Sequence, residues 1–249
     1  MSVSSVLTKD ELSFLQENGR FAVGADFKGE TVQLSALIEN GTLDYLKSIQ
    51  AALHAEKNDV TGSLLMKRLA FLAVNCLFSM TAFNKAIDVK PENIWIDSTV
   101  NNDIWLPKIR FKELKVVEAP SENREAWRKE IFVQLFQEVY APLIEQLKKD
   151  AKVSRQTLWE NVMLYIYWLY ETVLPKLEQS TYLEEDFQSL LKASPHMFEM
   201  KRNPASQFYK EKTFVQKHQA EIRVRTTCCF YYRANDAGAH CSTCPLDCK

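Results

Sequence analysis

The chain has 249 residues, of which 46% are hydrophobic and 25% are charged, a balance typical of a folded protein with an apolar core. Its net charge is −1, so no overall field attracts nucleic acid or a membrane surface. The 6 glycines and 8 prolines argue against a turn-rich all-β architecture, and the composition excludes collagen-like and wholly disordered chains.

Helical patterns dominate the first part of the chain. Thr8 and Glu11 have the spacing of a capping box, which predicts a short helix after Thr8. Apolar residues recur at three- and four-residue spacing over residues 42–55 and 61–83, which predicts two more helices. The apolar run 69–80 is shorter than the roughly 20 residues of a membrane span, so we expect a buried helix and no transmembrane span. The N-terminus does not resemble a signal peptide, and we expect a cytoplasmic protein.

Residues 93–118 differ from the helical segments around them, because short runs of Ile, Trp and Val alternate with turn residues and predict a small sheet or hairpin. Ser121 is a candidate N-cap for the next helix, and helices are expected near 123–149, 154–175 and 181–193. We therefore predict a mainly α (α+β) fold: a helical body with a small central β-sheet or hairpin. Its predicted regions are an N-terminal α+β part (1–120), a helical part (121–200) and a tail (201–249).

The segment 201–233, here called the basic segment, has eight basic residues and two glutamates, a balance of +6 against −7 in the rest of the chain. A concentration of positive charge suits an anionic ligand. Residues 221–225 alternate polar and apolar, which predicts a strand with Arg223 and Arg225 on one face. The candidate substrate-binding residues are Arg223, Arg225, Arg233, Lys201 and Arg202.

Five of the 6 cysteines lie in the last 22 residues, at Cys228, Cys229, Cys241, Cys244 and Cys248. The C-x2-C pair followed by Pro245 is typical of iron–sulfur ligand runs, and adjacent cysteines suit a cluster with two metal atoms. Zinc and disulfides stay as alternatives, although zinc sites prefer spaced pairs and disulfides are rare in the cytoplasm.

The predicted cluster ligands are Cys228, Cys229, Cys241 and Cys244. Cys248 is left out because the end of a chain frays. Cys76 lies in an apolar run and is predicted to pack in the core. His240 either assists the cluster or is a solvated loop residue.

The run Arg225–Tyr232 followed by Cys241–Pro245 resembles the C-terminal motif of the FhuF-like ferric siderophore reductases. In that family a Cys-Cys pair, about ten residues and then C-x2-C bind one [2Fe–2S] cluster. The gap here is eleven residues, and one extra loop residue is a small change. The resemblance implies a mostly helical body joined to this tail.

The resemblance also implies an oxidoreductase of siderophore-dependent iron transport, which reduces a ferric siderophore by one electron and releases ferrous iron. Such a protein needs no catalytic acid or nucleophile. The expected partners are a ferric siderophore, of citrate-hydroxamate type if the basic segment binds it, and an electron donor such as a ferredoxin or flavoprotein. The alternatives are a non-catalytic iron–sulfur sensor or electron-transfer adaptor, and a zinc-stapled interaction domain.

Overall fold

The computed structural model describes residues 3–177, 181–235 and 237–248. Helices predominate, which confirms the mainly α (α+β) prediction. The α-helices in the described residues are α1 (Lys9–Asn18), α2 (Leu34–Glu39), α3 (Leu43–Ile49), α4 (Asn58–Ala82), α5 (Arg124–Phe132), α6 (Ala141–Ala151), α7 (Arg155–Trp168), α8 (Leu183–Leu191) and α9 (Pro204–Gln207). The strands are β1 (Val3–Ser5), β2 (Phe21–Val23), β3 (Thr31–Gln33), β4 (Lys85–Ile87), β5 (Ile94–Asp97), β6 (Val100–Asn101), β7 (Ile104–Trp105), β8 (Lys108–Phe111), β9 (Val116–Glu118), β10 (Thr213–Val215) and β11 (Ala220–Ile222).

The 25-residue helix α4 is the centre of the fold and packs against α3, α6 and α7. Its sequence is apolar on nearly all sides, so most of its side chains are buried. Helix α4 is long enough and apolar enough to cross a membrane, judged by length and composition alone. However, 89% of its most apolar 18-residue stretch is buried inside the fold. The predicted helix at 61–83 is confirmed and begins slightly earlier, at Asn58.

The second half of the body consists of long helices that contain stretches of the wider π-helix. A π-helical stretch, Val133–Tyr140, joins α5 to α6, and a second one, Leu169–Val173, extends α7. The predicted N-cap at Ser121 is wrong. The cap is Asn123, whose side chain accepts a hydrogen bond from the Ala126 amide and whose φ is 62°. Asn tolerates this left-handed conformation better than most residues, which explains why the helix is capped at residue 123.

Two small sheets lie beside the helices. One has the strand order β2-β8-β5-β3, with β2 and β8 parallel and the other neighbours antiparallel, and the second has the antiparallel order β1-β9-β4. Strands β6–β7 and β10–β11 form separate hairpins. The predicted β region at 93–118 is confirmed. The predicted strand at 221–225 is too long, because β11 ends at Ile222 and both Arg223 and Arg225 lie beyond it.

In the described part of the chain, one hydrophobic cluster extends from Leu7 to Ala234 and contains residues from each predicted region. It includes Cys76 of α4, as predicted, and none of the tail cysteines. The division of the chain at 120 and 200 stays a prediction.

Candidate metal centre

The segment that carries Cys228 and Cys229 lies across the contact between α4 and α7. The Ser63 hydroxyl of α4 donates a 2.8 Å hydrogen bond to the Cys229 carbonyl oxygen, and Asn161 Nδ2 of α7 donates to the Ser63 carbonyl oxygen at 2.9 Å. Both polar side chains are fully buried. Because buried polar groups need partners, these bonds fix the position of the Cys229 backbone relative to the helical body.

A buried carboxylate of α7 holds the residues just before the cysteines. Glu160 accepts hydrogen bonds from the Thr226 amide at 2.6 Å and the Thr227 amide at 2.7 Å, and its Oε2 lies 3.7 Å from Arg225 Nε. Nη2 of Arg225 donates to Asn161 Oδ1 at 2.6 Å. The side chains of Arg225 and Glu160 are 0% and 2% exposed, so this is a buried ion pair beneath the cysteine loop.

Two thiols from the two halves of the motif meet. The sulfur atoms of Cys229 and Cys241 are hydrogen-bonded 3.5 Å apart. A disulfide would need about 2.05 Å, whereas two thiolates bound at about 2.3 Å to one tetrahedral metal lie about 3.8 Å apart. The observed distance is therefore close to that of two ligands on one metal atom.

The backbone turns sharply at both halves of the motif. Phe230 has a φ of 63° and its amide donates to the Cys228 sulfur at 3.3 Å, so the chain reverses directly after the Cys-Cys pair. Two adjacent cysteines need such a turn to serve one site, because neighbouring side chains of an extended chain point to opposite faces. In the second half, the Cys244 amide donates to the Cys241 carbonyl oxygen, and the Arg225 amide donates to the Thr243 carbonyl oxygen, both at 3.0 Å. The last bond ties the two halves together.

Positive charge surrounds the thiol pair. Lys67 Nζ of α4 lies 4.0 Å from the Cys229 sulfur. The hydrogen bond with Cys241, supported by the charges of Lys67 and Arg225, lowers the pKa of the Cys229 thiol well below its usual value, although burial opposes this shift. Burial raises the pKa of Cys228. Of the two hydrogen-bonded thiols, Cys229 is therefore more acidic than Cys241 and binds a metal as thiolate more readily.

The remaining candidates have other surroundings. The Cys248 thiol donates to the Ser242 carbonyl oxygen at 3.3 Å. Cys76 is 1% exposed within α4, and burial raises the pKa of its thiol, which fits the predicted packing role. The His240 ring stacks on Tyr232, with ring centroids 5.0 Å apart.

Three of the four arginines of the basic segment bind carboxylates on three different elements. Arg223 pairs with Glu171 at 2.7 Å, Arg233 pairs with Asp59 at 2.8 Å, and Arg225 pairs with Glu160 as described. The structure therefore does not gather them into one unpaired patch. Lys201 and Arg202 are exposed and line a cleft that includes no tail cysteine. A role of these five residues in substrate binding stays a prediction.

Comparison with family models places this arrangement in a known context. Residues 63–215 match the model described as "Ferric iron reductase FhuF-like transporter", and residues 225–246 match "FhuF 2Fe-2S C-terminal domain". The chain belongs to the FhuF-like family. A comparison with curated proteins finds none that matches it. The family membership makes the protein ferric siderophore reductase-like, and its cofactor is a [2Fe–2S] cluster.

The donor set of this FhuF-like tail fits that cofactor. The second family match contains Cys228, Cys229, Cys241 and Cys244 and ends before Cys248. Within the described ranges, no three His, Cys, Asp or Glu side chains converge as a site for a single ion. A [2Fe–2S] cluster would be held by four thiolates, and Cys229 and Cys241 bring one thiol from each half of the motif to within 3.5 Å of each other.

Sequence reasoning missed the residues of the helical body that support the tail. Glu160, Asn161, Ser63 and Lys67 lie on α4 and α7, far from the cysteines in sequence. The available signal was a glutamate, an asparagine and a lysine within apolar or aromatic helical runs. Buried charged residues of this kind need partners, but the sequence does not say which ones.

Proposed function

We propose that the protein is a ferric siderophore reductase, in which Cys228, Cys229, Cys241 and Cys244 bind the [2Fe–2S] cluster. When bound, the cluster carries one electron at a time, which it accepts from an external donor and passes to a ferric siderophore. The observation that supports the ligand set best is the 3.5 Å approach of Cys229 to Cys241, which joins the two halves of the motif. Family membership supports the reaction.

The chemistry asks little of the protein beyond placement. Ferric iron is held tightly by the hard oxygen donors of siderophores, and the lower charge of ferrous iron weakens that binding, so one electron is sufficient for release. Cys229 and Cys244 are buried, whereas Cys228 and Cys241 are partly exposed. The exposed edge of the site is where a bulky chelate approaches.

The positive side chains near the thiols have an electrostatic role. Lys67 and the buried Arg225 stabilise the added negative charge when the site accepts an electron, since reduction potentials depend on nearby charge and hydrogen bonds. Glu160 holds Arg225 in place and reduces this effect only partly, because its oxygens also accept hydrogen bonds from two backbone amides.

We also propose a cytoplasmic location for the protein and a ferredoxin or flavoprotein as its electron donor.

The reaction is tested by anaerobic mixing of the reduced protein with ferric siderophores of different charge, with absorbance reporting reoxidation of the cluster. We expect stoichiometric reoxidation, with one ferrous ion formed per protein. Reoxidation that no ferric siderophore accelerates would refute the reductase and favour a sensor or an electron-transfer adaptor.

The ligand set is tested by serine variants. Replacement of Cys228, Cys229, Cys241 or Cys244 should remove the cluster absorbance or change it strongly. Cys248→Ser is the matched control in the same tail, and Cys76→Ser is the control in the core. A colourless Cys248→Ser protein would show that the ligand set is wrong.

A further inference from the structure

One cleft of the protein has a proposed cluster ligand in its wall. Cys241 lines a cleft of about 510 Å³, together with Lys67 and Arg68 of α4, Tyr231, and the β6–β7 hairpin around Ile104. We name it the cysteine-side cleft. Its volume lies within the range of small-molecule sites. The cleft beside Lys201 and Arg202 is larger, at about 800 Å³, but its lining contains no tail cysteine.

Within the part of the chain that the structure describes, Lys67 and Arg68 lack the carboxylate partner that most arginines of the protein have. Seven of the ten arginines pair with a carboxylate in the described residues, among them Arg223, Arg225 and Arg233. For Arg68, the described residues provide no carboxylate partner, and its buried Nε has no hydrogen-bond acceptor. Lys67 contacts the Cys229 sulfur and the Tyr231 ring, whose centroid is 5.4 Å from Nζ. These charges are available to a ligand.

A third cation increases the local positive charge. The guanidinium carbon of Arg20 lies 3.8 Å from the centroid of the Phe71 ring, and its buried Nη1 has no partner among the described residues. Burial and the nearby charge of Arg68 lower the pKa of Arg20 to about 10. An exposed carboxylate, Asp103, stands on the hairpin side of the cleft and offsets part of this charge. Unpaired cations in close proximity repel one another, and a bound anion relieves that repulsion.

We propose that Lys67 and Arg68 bind the peripheral carboxylates of an anionic ferric siderophore in the cysteine-side cleft. The inference rests on the proposed reductase function and names its substrate class and its site. A planar guanidinium suits a carboxylate, because two parallel hydrogen bonds can form. Lys67 lies between the thiols and the cleft, so it reduces the repulsion between a negatively charged cluster and an anionic chelate. The exposed side chain of Ile104 offers apolar contact to the siderophore backbone.

The experiment measures binding without electron transfer. The probe is the redox-inert Ga(III) complex of aerobactin, a citrate dihydroxamate with peripheral carboxylates, titrated calorimetrically into the oxidised holoprotein. Arg68→Gln should weaken binding about tenfold or more, and Arg68→Lys should weaken it less because the charge is kept. Both variants should keep the wild-type cluster absorbance and circular dichroism. Lys149→Gln, on the exposed surface of α6, is the matched charge control and should bind as the wild type does.

Further arms separate charge recognition from other effects. The Ga(III) complex of desferrioxamine B, which has a free cationic amine, should bind no more weakly to Arg68→Gln than to the wild type. Lys67→Gln should weaken binding of the anionic probe and also lower the cluster reduction potential, which a purely structural role would not combine. Rising salt should weaken the wild-type interaction and affect Arg68→Gln less.

The outcomes distinguish this inference from the proposed function. Unchanged affinity in Arg68→Gln, no binding of the anionic probe to the wild type, or a larger loss in Arg202→Gln would overturn the inference. If ferric siderophores nevertheless reoxidise the reduced protein, the reductase function stands. If Arg68→Gln loses binding but no ferric siderophore accepts an electron, the cleft is a site for anionic chelates and the reductase function fails.

Discussion

Glu160 offers the sharpest test of how the helical body supports the cysteine tail. Its carboxylate is 2% exposed, accepts hydrogen bonds from the amides of Thr226 and Thr227, and lies 3.7 Å from Arg225 Nε. Glu160→Gln keeps the size of the side chain and one acceptor oxygen. It removes the charge that compensates the buried guanidinium and replaces one acceptor oxygen by a donor, which then faces either the Thr226 amide or the amide and hydroxyl of Thr227.

The magnitude follows from burial. Removal of one partner of a buried ion pair costs about 3–5 kcal/mol, and a hydrogen bond to a charged group contributes about 1.5–3 kcal/mol. These contributions overlap, so we expect Glu160→Gln to destabilise the docked tail by about 3–5 kcal/mol in total. A loss of about 3 kcal/mol corresponds to a more than hundredfold larger population of the undocked tail.

Two measurements test this. Hydrogen exchange of the Thr226 and Thr227 amides should accelerate at least about a hundredfold in Glu160→Gln, and iron should transfer to a chelator correspondingly faster. Exchange within α4 should stay slow, because its packing against α6 and α3 does not involve Glu160. Glu138→Gln, at an exposed position of the π-helical stretch Val133–Tyr140, is the matched control.

A double-mutant cycle identifies the cause. Arg225→Gln combined with Glu160→Gln should cost clearly less than the sum of the two single changes, because the double variant leaves no uncompensated buried charge. Strict additivity, or a Glu160→Gln protein that retains iron as long as the wild type does, would refute the assigned role of this ion pair.

Two further predictions concern the stability of the whole protein. Removal of iron by a chelator should abolish the absorbance of the [2Fe–2S] cluster but preserve the far-UV circular dichroism of the helices, since the hydrophobic core contains no tail cysteine. A general loss of helicity would contradict this. Burial disfavours the Glu171 carboxylate, but hydrogen bonds from Arg223, Lys212 and Tyr209 prevail and lower its pKa to about 2. The ionised Glu171 carboxylate therefore stabilises the fold above about pH 4.5, and this stabilisation is lost as the pH falls towards 2. In acid titrations, the difference in unfolding free energy between wild type and Glu171→Gln should shrink over that interval. The difference should not change near neutral pH.

Local sequence signals identified the fold class because they depend on neighbouring residues only. The Thr8 capping box is present with both reciprocal hydrogen bonds, and α4 follows its apolar pattern. The pairing of strands was beyond such signals. The parallel contact of β2 with β8 joins residues about ninety positions apart, such as Phe21 and Ile109, and no local pattern specifies that register.

The cysteine motif predicted the site because its spacing is a local property that reflects the geometry of the bound cluster. The residues that hold the motif in place were not predictable in the same way. Glu160 and Ser63 reach the tail only because α4 and α7 pack together, and their partners lie more than sixty residues away. A buried glutamate in a helix signals that some partner exists, without naming the backbone amides that it binds.

The charge of the basic segment shows why a sum over sequence is a weak guide to a binding surface. The +6 balance of residues 201–233 predicted an anionic ligand near Arg223, Arg225 and Arg233, but carboxylates from the acidic remainder of the chain fold against each of them. Those ion pairs attach the tail to the body, and their field at a distance is small. Arg68, by contrast, lies within an apolar helix and was not distinguished by charge counting. A cation attracts a ligand when folding leaves it without a counter-charge, so the pairing of charges, which only the three-dimensional structure gives, decides where an anionic chelate binds.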